Sequence, residues 1–160
     1  MKVQEVMTRN VKSCQPESSV EQAATLMWDY DCGALPVVDN ENRVMGMITD
    51  RDIAIAASTR GSLTSQIRVG DVISGNVYAC GEDEDLKSAL HTMRREKVRR
   101  LPVINYDGRL AGILSINDIV LRAGEGRTGW APEISQEEVV STFKAICEHS
   151  RVQQHAGYAD

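Results

Sequence analysis

The chain has 160 residues, 42% of them hydrophobic and 26% charged, enough to pack one domain or two small ones and too short for separate catalytic and regulatory domains. Eighteen Lys and Arg against 23 Asp and Glu leave a formal net charge of −5, the wrong sign for a domain that binds by neutralising nucleic-acid phosphates. Aromatics make up only 4%, so stacking platforms for single strands or glycans are scarce and the core is expected to be built from Val, Ile, Leu, Met and Ala.

Met1 to Asn10 lacks the basic-then-apolar order of a secretion signal, and no stretch approaches the roughly 20 apolar residues of a membrane span. A cytoplasmic location and no membrane partner are therefore expected. A short helical turn is expected over Val3–Met7 and a short β segment over Val11–Cys14. An amphipathic helix opens at Ser18 or Ser19, where Ser18-Ser19-Val20-Glu21 has capping-box spacing, and carries Val20, Ala23, Ala24 and Met27 at helical period. Two strands, Leu35–Val38 and Arg43–Ile48, follow across a polar turn, and a last helix runs from Asp50 to about Ala57.

This order then recurs. Val3–Ala57 superimposes on Val69–Ala123 without a gap, with identities such as Val6 and Val72, Asn10 and Asn76, Cys14 and Cys80, Met27 and Met93, Pro36 and Pro102, and Asp52 and Asp118. The chain divides into a first repeat over residues 1–60, a polar linker over 61–68, a second repeat over 69–124, and a Gly-rich hinge with a helical tail over 125–160. The second copy has its short β segment at Val77–Cys80, its helix after Asp85, and strands Leu101–Ile104 and Arg109–Leu114. The class is α+β: two β-α-β-β-α repeats whose small sheets need one another to complete a core, plus a C-terminal helix. In the tail, Trp130-Ala131-Pro132 precedes a capping pattern at Ser135-Gln136-Glu137-Glu138 and an apolar stripe of Val139, Val140, Phe143, Ile146 and Cys147. Its own pair or a dimer mate is expected to cover that stripe, and Gln153–Asp160 reads as frayed.

Thr49-x-x-Asp52 and Ser115-x-x-Asp118 stand where a strand hands over to a helix. A hydroxyl, backbone N–H groups and the positive helix end converge there, which favours an anion, and an Asp one turn in can accept two hydrogen bonds from a vicinal diol. Diol and phosphate together describe a nucleotide. The same spacing also describes an ordinary N-cap that needs no ligand.

The block Gly33-Ala34-Leu35-Pro36-Val37-Val38 with Gly46-Met47-Ile48-Thr49-Asp50-Arg51-Asp52-Ile53, and its copy Arg99-Arg100-Leu101-Pro102-Val103-Ile104 with Gly112-Ile113-Leu114-Ser115-Ile116-Asn117-Asp118-Ile119, resemble tandem cystathionine-β-synthase (CBS) domains. The resemblance covers residues 1 to about 123 and is similar to small free-standing bacterial and archaeal CBS-pair proteins. It implies two repeats related by a pseudo-twofold axis, pairs that form homodimers, and an adenosine ligand between the repeats: AMP, ADP, ATP, NAD or S-adenosylmethionine. Carried onto this sequence, it implies ribose contacts from Asp52 and Asp118 and phosphate contacts from Thr49 and Ser115. The adenine walls implied are Val11, Lys12, Ala34, Leu35, Pro36, Val77, Tyr78, Leu101 and Pro102. Arg51, Arg99 and Arg100 are further phosphate candidates, whereas Arg94, Arg95 and Lys97 read as a solvated helix end.

No nucleophile-base pair, metal cluster or Walker loop is evident, so no enzyme activity and no required cofactor are expected. The leading expectation is a sensor that binds an adenine nucleotide and acts on an effector protein; the alternative is a structural dimerisation or stress-related interaction protein with degenerate sites. A thiol or zinc sensor is a third reading. Cys14, Cys32, Cys80 and Cys147 have no CxxC spacing and read as reduced, Cys14 and Cys80 as buried small hydrophobes. Cys147 with His149 and His155 has loose ligand spacing, and exposed side chains are its simpler account, as a helix surface is for His91.

Overall fold

A computed structural model describes residues 1–73, 76–124 and 133–148. Its helices start where the sequence supplies caps. Helix α1 (Val20–Asp29) opens on Ser19, whose hydroxyl accepts from the Gln22 N–H at 3.1 Å while the Gln22 side chain accepts from the Ser19 N–H at 2.9 Å. The reciprocal box thus sits one residue later than the Ser18–Glu21 spacing. Val20, Ala23 and Met27 form the buried face. In the second half Asp85 accepts from the Lys87 N–H, and α3 (Leu86–Glu96) buries Leu86, Ala89, Leu90 and Met93 before Lys97 turns left-handed at φ 54.

Each half carries one antiparallel hairpin. Strands β2 (Ala34–Val38) and β3 (Val44–Thr49) pair in the first, β5 (Arg100–Ile104) and β6 (Leu110–Ser115) in the second, with a register shift at the equivalent points Val37/Val38 and Val103/Ile104. These elements begin or end within about a residue of the sequence expectation. The helices that follow, α2 (Asp50–Thr59) and α4 (Ile116–Arg122), start directly from the strand ends. The short leading β segment is reduced. In the second half it is β4 (Cys80–Gly81), parallel to β5 with Cys80 opposite Val103; in the first half only Cys14 bridges, to Val37. Asn10, at φ 54, redirects the chain just before Val11, and this extended stretch lines a cavity instead of joining a ladder.

The repeats interlock through their leading segments. The N-terminal strand β1 (Thr8–Arg9) pairs with β6, completing a four-stranded sheet in the order β1-β6-β5-β4. Val3 donates to the Glu84 carbonyl at 3.0 Å, and its counterpart Val69 donates to the Ser18 carbonyl at 2.8 Å. Leu86 donates to Met1 at 3.0 Å, and Val20 to Ile67 at 2.8 Å. Accordingly Val3 and Met7 lie in the apolar core of the second half, with Leu101, Val103, Leu114 and Ile119, while Ile67 and Val69 lie in that of the first, with Leu35, Val37 and Ile48. The hairpins also meet at the pseudo-twofold axis, where Leu110 N–H donates to the Asn42 carbonyl at 2.9 Å and Arg43 bridges to Arg109.

The tail helix α5 (Gln136–Cys147) opens on the expected Ser135–Glu138 capping box. Its apolar stripe is covered only in part by the chain's own second half: Val139, with Ile134 before the helix, is buried in that core and Phe143 and Ile146 pack against it, whereas Val140 and Cys147 are exposed. Thr142, also buried, satisfies its hydroxyl on the Glu138 carbonyl at 2.9 Å. Trp130, Pro132 and Gln153–Asp160 lie outside the described residues. No helix among those described is long and apolar enough to cross a membrane.

Candidate functional site

The two hydroxyl-x-x-Asp segments fold as N-caps. Thr49 donates its N–H and its hydroxyl to Asp52 Oδ2 at 2.9 and 2.6 Å, and accepts from the Asp52 N–H at 3.2 Å. Ser115 and Asp118 repeat this at 2.8, 2.6 and 3.2 Å. In both boxes the Asp side chain takes part through Oδ2 alone, and among the described residues Oδ1 of either Asp accepts no hydrogen bond. A carboxylate has lone pairs on both oxygens, so each Asp caps its helix and still presents a free acceptor. Capping and ligand binding are compatible in one residue.

The helix ends themselves are less available to an anion than the sequence implies. Asp50 N–H donates to the Gly33 carbonyl at 3.2 Å, Arg51 N–H to Asp50 Oδ1 at 2.8 Å, and Ile116 N–H to the Arg99 carbonyl at 2.9 Å. With Thr49 and Ser115 both engaged in their caps, the positive charge at these sites is carried by cationic side chains such as Arg99 and Arg100.

Two cavities lie along the junction of the repeats, and each combines the Asp of one repeat with the leading segment of the other. The larger, about 430 Å³, has Ser115 and Asp118 facing Thr8, Asn10, Val11 and Lys12, with Cys32 to Pro36, Tyr30, Asp31, Ile113 and Arg100 around them. The smaller, about 240 Å³, has Thr49 and Asp52 facing Asn76, Val77 and Tyr78, with Met47, Val98, Arg99, Arg100 and Ala34. The first is within the usual size range of small-ligand sites, about 300–1,000 Å³, and the second just below it. The sequence repeat relates their walls: Asn10 matches Asn76, Val11 matches Val77, Lys12 matches Tyr78, and Ile113 matches Met47. Reading one repeat at a time groups Asp52 with Val11; the interlocked fold groups it with Val77.

Of the residues singled out from sequence, Asp118, Ser115, Val11, Lys12, Ala34, Leu35 and Pro36 line the larger cavity. Asp52, Thr49, Val77, Tyr78 and Arg99 line the smaller, and Arg100 lines both. Three fall elsewhere. Leu101 is fully buried in the second core, Pro102 is buried within β5, and Arg51 is exposed on α2 beyond both cavities. Leu101 and Pro102 occupy the same strand positions as Leu35 and Pro36 yet do not reach a cavity, because the larger cavity extends past β2 and the smaller does not extend past Arg100 of β5.

Several wall residues were not anticipated. Tyr30, just past the end of α1, holds the Lys12 ammonium 4.6 Å from its ring centroid, a cation–π contact across the mouth of the larger cavity. Its signal was its rarity: there are only four Tyr in the chain. Thr8, Asn10 and Asn76 were hidden because only the interlocking brings the leading segments to the opposite Asp. Around the smaller cavity, the Glu96 carboxylate near Tyr78 raises its phenol above the ordinary range. The Arg95 guanidinium, 2.5 Å from Glu96, together with Tyr78 holds that carboxyl below its ordinary range.

No group of three or more metal-ligating side chains occurs among the described residues. Cys147 is exposed on α5, and its zinc companions from the sequence, His149 and His155, lie outside the described residues. Cys14 and Cys80 are buried, which pushes their thiols up to about 11 and about 12.

A family model described as the CBS domain matches residues 3–58 and 69–125. The chain is 36% identical over 122 residues to inosine-5'-monophosphate dehydrogenase of Methanocaldococcus jannaschii, covering 76% of this chain but only 23% of that enzyme. It is 29% identical over 143 residues to hypoxic response protein 1 of Mycobacterium tuberculosis, covering 89% and 92% of the two chains. A crystal structure of hypoxic response protein I, with two coordinated zinc ions, aligns at a TM-score of 0.70 and 30% identity over 76% of this chain and 98% of that one. CBSX2, known from Arabidopsis thaliana, has been solved in complex with AMP; that complex aligns at 0.63 and 27% identity over 75% and 93%.

Proposed function

This chain belongs to the CBS domain family, whose paired members are generally regulatory, non-catalytic modules, and we propose that it senses an adenosine ligand held between its repeats. The observation that carries this reading is that each cavity takes its carboxylate from one repeat and its leading segment from the other. A ligand that bonds both walls ties the repeats together, so occupancy and relative packing are linked. The chemistry of the walls fits a nucleotide: a free carboxylate oxygen for a ribose diol, Tyr30 or Tyr78 and aliphatic side chains for a base, and Lys12, Arg99 and Arg100 for phosphate. The AMP complex of CBSX2 supports the ligand class.

The chain is not an enzyme in this reading, and it needs no cofactor beyond the regulatory ligand. It acts in the cytoplasm as a homodimer, passing the ligand's effect to an effector protein. Such an effect requires the ligand to bind one packing of the repeats more tightly than another, since equal affinity shifts nothing. Thermal-shift titration of the reduced protein with AMP, ADP, ATP, NAD and S-adenosylmethionine, followed by calorimetry, tests the proposal. A saturable rise in melting temperature with an adenosine ligand, diminished when Asp52 or Asp118 is replaced, is the expected result. Silence across the panel overturns it.

A further inference from the structure

The two cavities are distinct in most of their walls but share Ala34 and Arg100. These two residues are repeat equivalents, so the pseudo-twofold axis runs between them. True symmetry would place two guanidinium groups there, or none. With Ala at position 34 and Arg at position 100, one guanidinium lines both cavities. Gly33, the neighbour of Ala34, borders the same space: a Cβ there would crowd Asp50 Oδ2 at 3.0 Å but lie at ordinary contact distance, 3.8 Å, from Arg100 Nη2. Arg100 forms no ion pair among the described residues. Its guanidinium is therefore free to turn to either side, but a bidentate contact with one phosphate leaves its fork unavailable to the other.

We propose that Arg100 makes the two cavities antagonistic toward phosphorylated ligands: a phosphate in one cavity weakens the binding of a phosphate in the other. This rests on the nucleotide reading above and adds to it a rule of occupancy. Two effects act in the same direction. The second phosphate loses its share of the guanidinium, and it enters beside a negative charge already in place. Neither effect touches a ligand without phosphate. Adenosine and AMP should therefore behave differently at the same pair of sites, and at subsaturating AMP the chain holds one nucleotide, not two.

Unequal cavities alone would also give two affinities, so the test separates intrinsic difference from antagonism. Asp52→Asn and Asp118→Asn variants each retain one competent cavity and give its affinity for AMP in isolation by calorimetry. The expected result is that the weaker AMP affinity in the unmodified protein is at least about tenfold poorer than that of the same cavity measured alone, a coupling of about 1.4 kcal/mol. Adenosine should show no such loss, and Arg100→Gln should weaken the first AMP while bringing the two affinities closer together. A comparison of AMP with adenosine on the unmodified protein keeps the test independent of how the variants fold. Two AMP affinities that match the isolated cavities within about threefold overturn the antagonism and leave the nucleotide reading standing. An equal splitting with adenosine overturns it as well, and failure of both ligands to bind overturns both.

Discussion

Replacing Asp52 separates the two roles that its carboxylate oxygens play. Asp52→Ala removes the Oδ2 acceptor that holds Thr49 N–H at 2.9 Å and its hydroxyl at 2.6 Å, so α2 loses the reciprocal half of its capping box while the Thr49 hydroxyl still accepts from the N–H of residue 52. Losing a whole N-cap costs about 1 kcal/mol, so losing this half costs at most about that, and in a domain of this size each kcal/mol lowers Tm by roughly 2–4 °C. Asp52→Asn keeps one oxygen for the cap and turns the other position into a donor, so its melting temperature should stay close to that of the parent. Both variants lose the free carboxylate oxygen, Oδ1, of a residue that lines the smaller cavity. Charge-assisted hydrogen bonds contribute about 1.5–3 kcal/mol, so the affinity of that cavity for AMP should fall roughly 10- to 150-fold in either variant. Calorimetry and thermal melts on the same samples read both quantities. An AMP affinity within twofold of the parent in both variants would refute the ribose assignment, and an Asn variant as destabilised as the Ala variant would refute the division of labour between the oxygens.

Glycine at position 112 admits the N-terminal strand: a Cβ there would meet the Thr8 carbonyl at 2.5 Å, whereas at its counterpart Gly46 it would meet the mobile tip of Ile73 at 2.9 Å. Gly112→Ala should therefore undock β1 and cost about 1–3 kcal/mol, loosening the Thr8 and Asn10 wall of the larger cavity, with Gly46→Ala milder; equal effects in denaturant melts would contradict this. Burial raises the Cys14 and Cys80 thiols to about 11 and about 12, so above the usual thiol range the unfolded chain loses protons that the folded chain keeps, and stability falls from about pH 9 through pH 11. A double Cys14→Ala, Cys80→Ala variant should show a shallower decline of Tm over that window; an unchanged slope would assign the decline to other groups. Removing residues 133–148 uncovers the sites that bury Ile134 and Val139, each worth about 1.5–3 kcal/mol of burial. The truncated protein should melt well below the parent, and an identical melting curve would show α5 to be dispensable.

Much of this architecture was legible because it is written in local chemistry. Capping residues at Thr49, Ser115 and Ser135 announce helix starts, and the short continuous apolar runs around Leu35 and Leu101 announce the hairpins. The repeat itself announces the pseudo-symmetry. What was not legible is which copy of a segment serves which half. Thr8 and Arg9 carry no strand signature, and their pairing with Gly112 and Ile113 is decided by shape at long range. The division of the site into two cavities follows from that same interlocking, so residues such as Asn10 and Tyr30 could not be assigned a partner from spacing. Leu101 shows the limit of analogy between copies, since Leu35 and Leu101 are both fully buried, yet only Leu35 backs a cavity.

The reciprocal placement of Val3 and Val69 means that neither half owns a complete interior. A fragment ending near residue 60 would leave vacant the place that Val69 fills and would carry an apolar arm with no groove to receive it. Two copies of such a fragment could satisfy one another by trading arms, which makes the intact chain the covalent equivalent of a swapped dimer. Because the arm must travel some eighty positions along the sequence to find its groove, as the bond from Val3 to Glu84 records, the halves gain their stability together and folding is paced by that long closure. The arms also act as levers once folded: a small rotation of one half moves a segment embedded in the heart of the other.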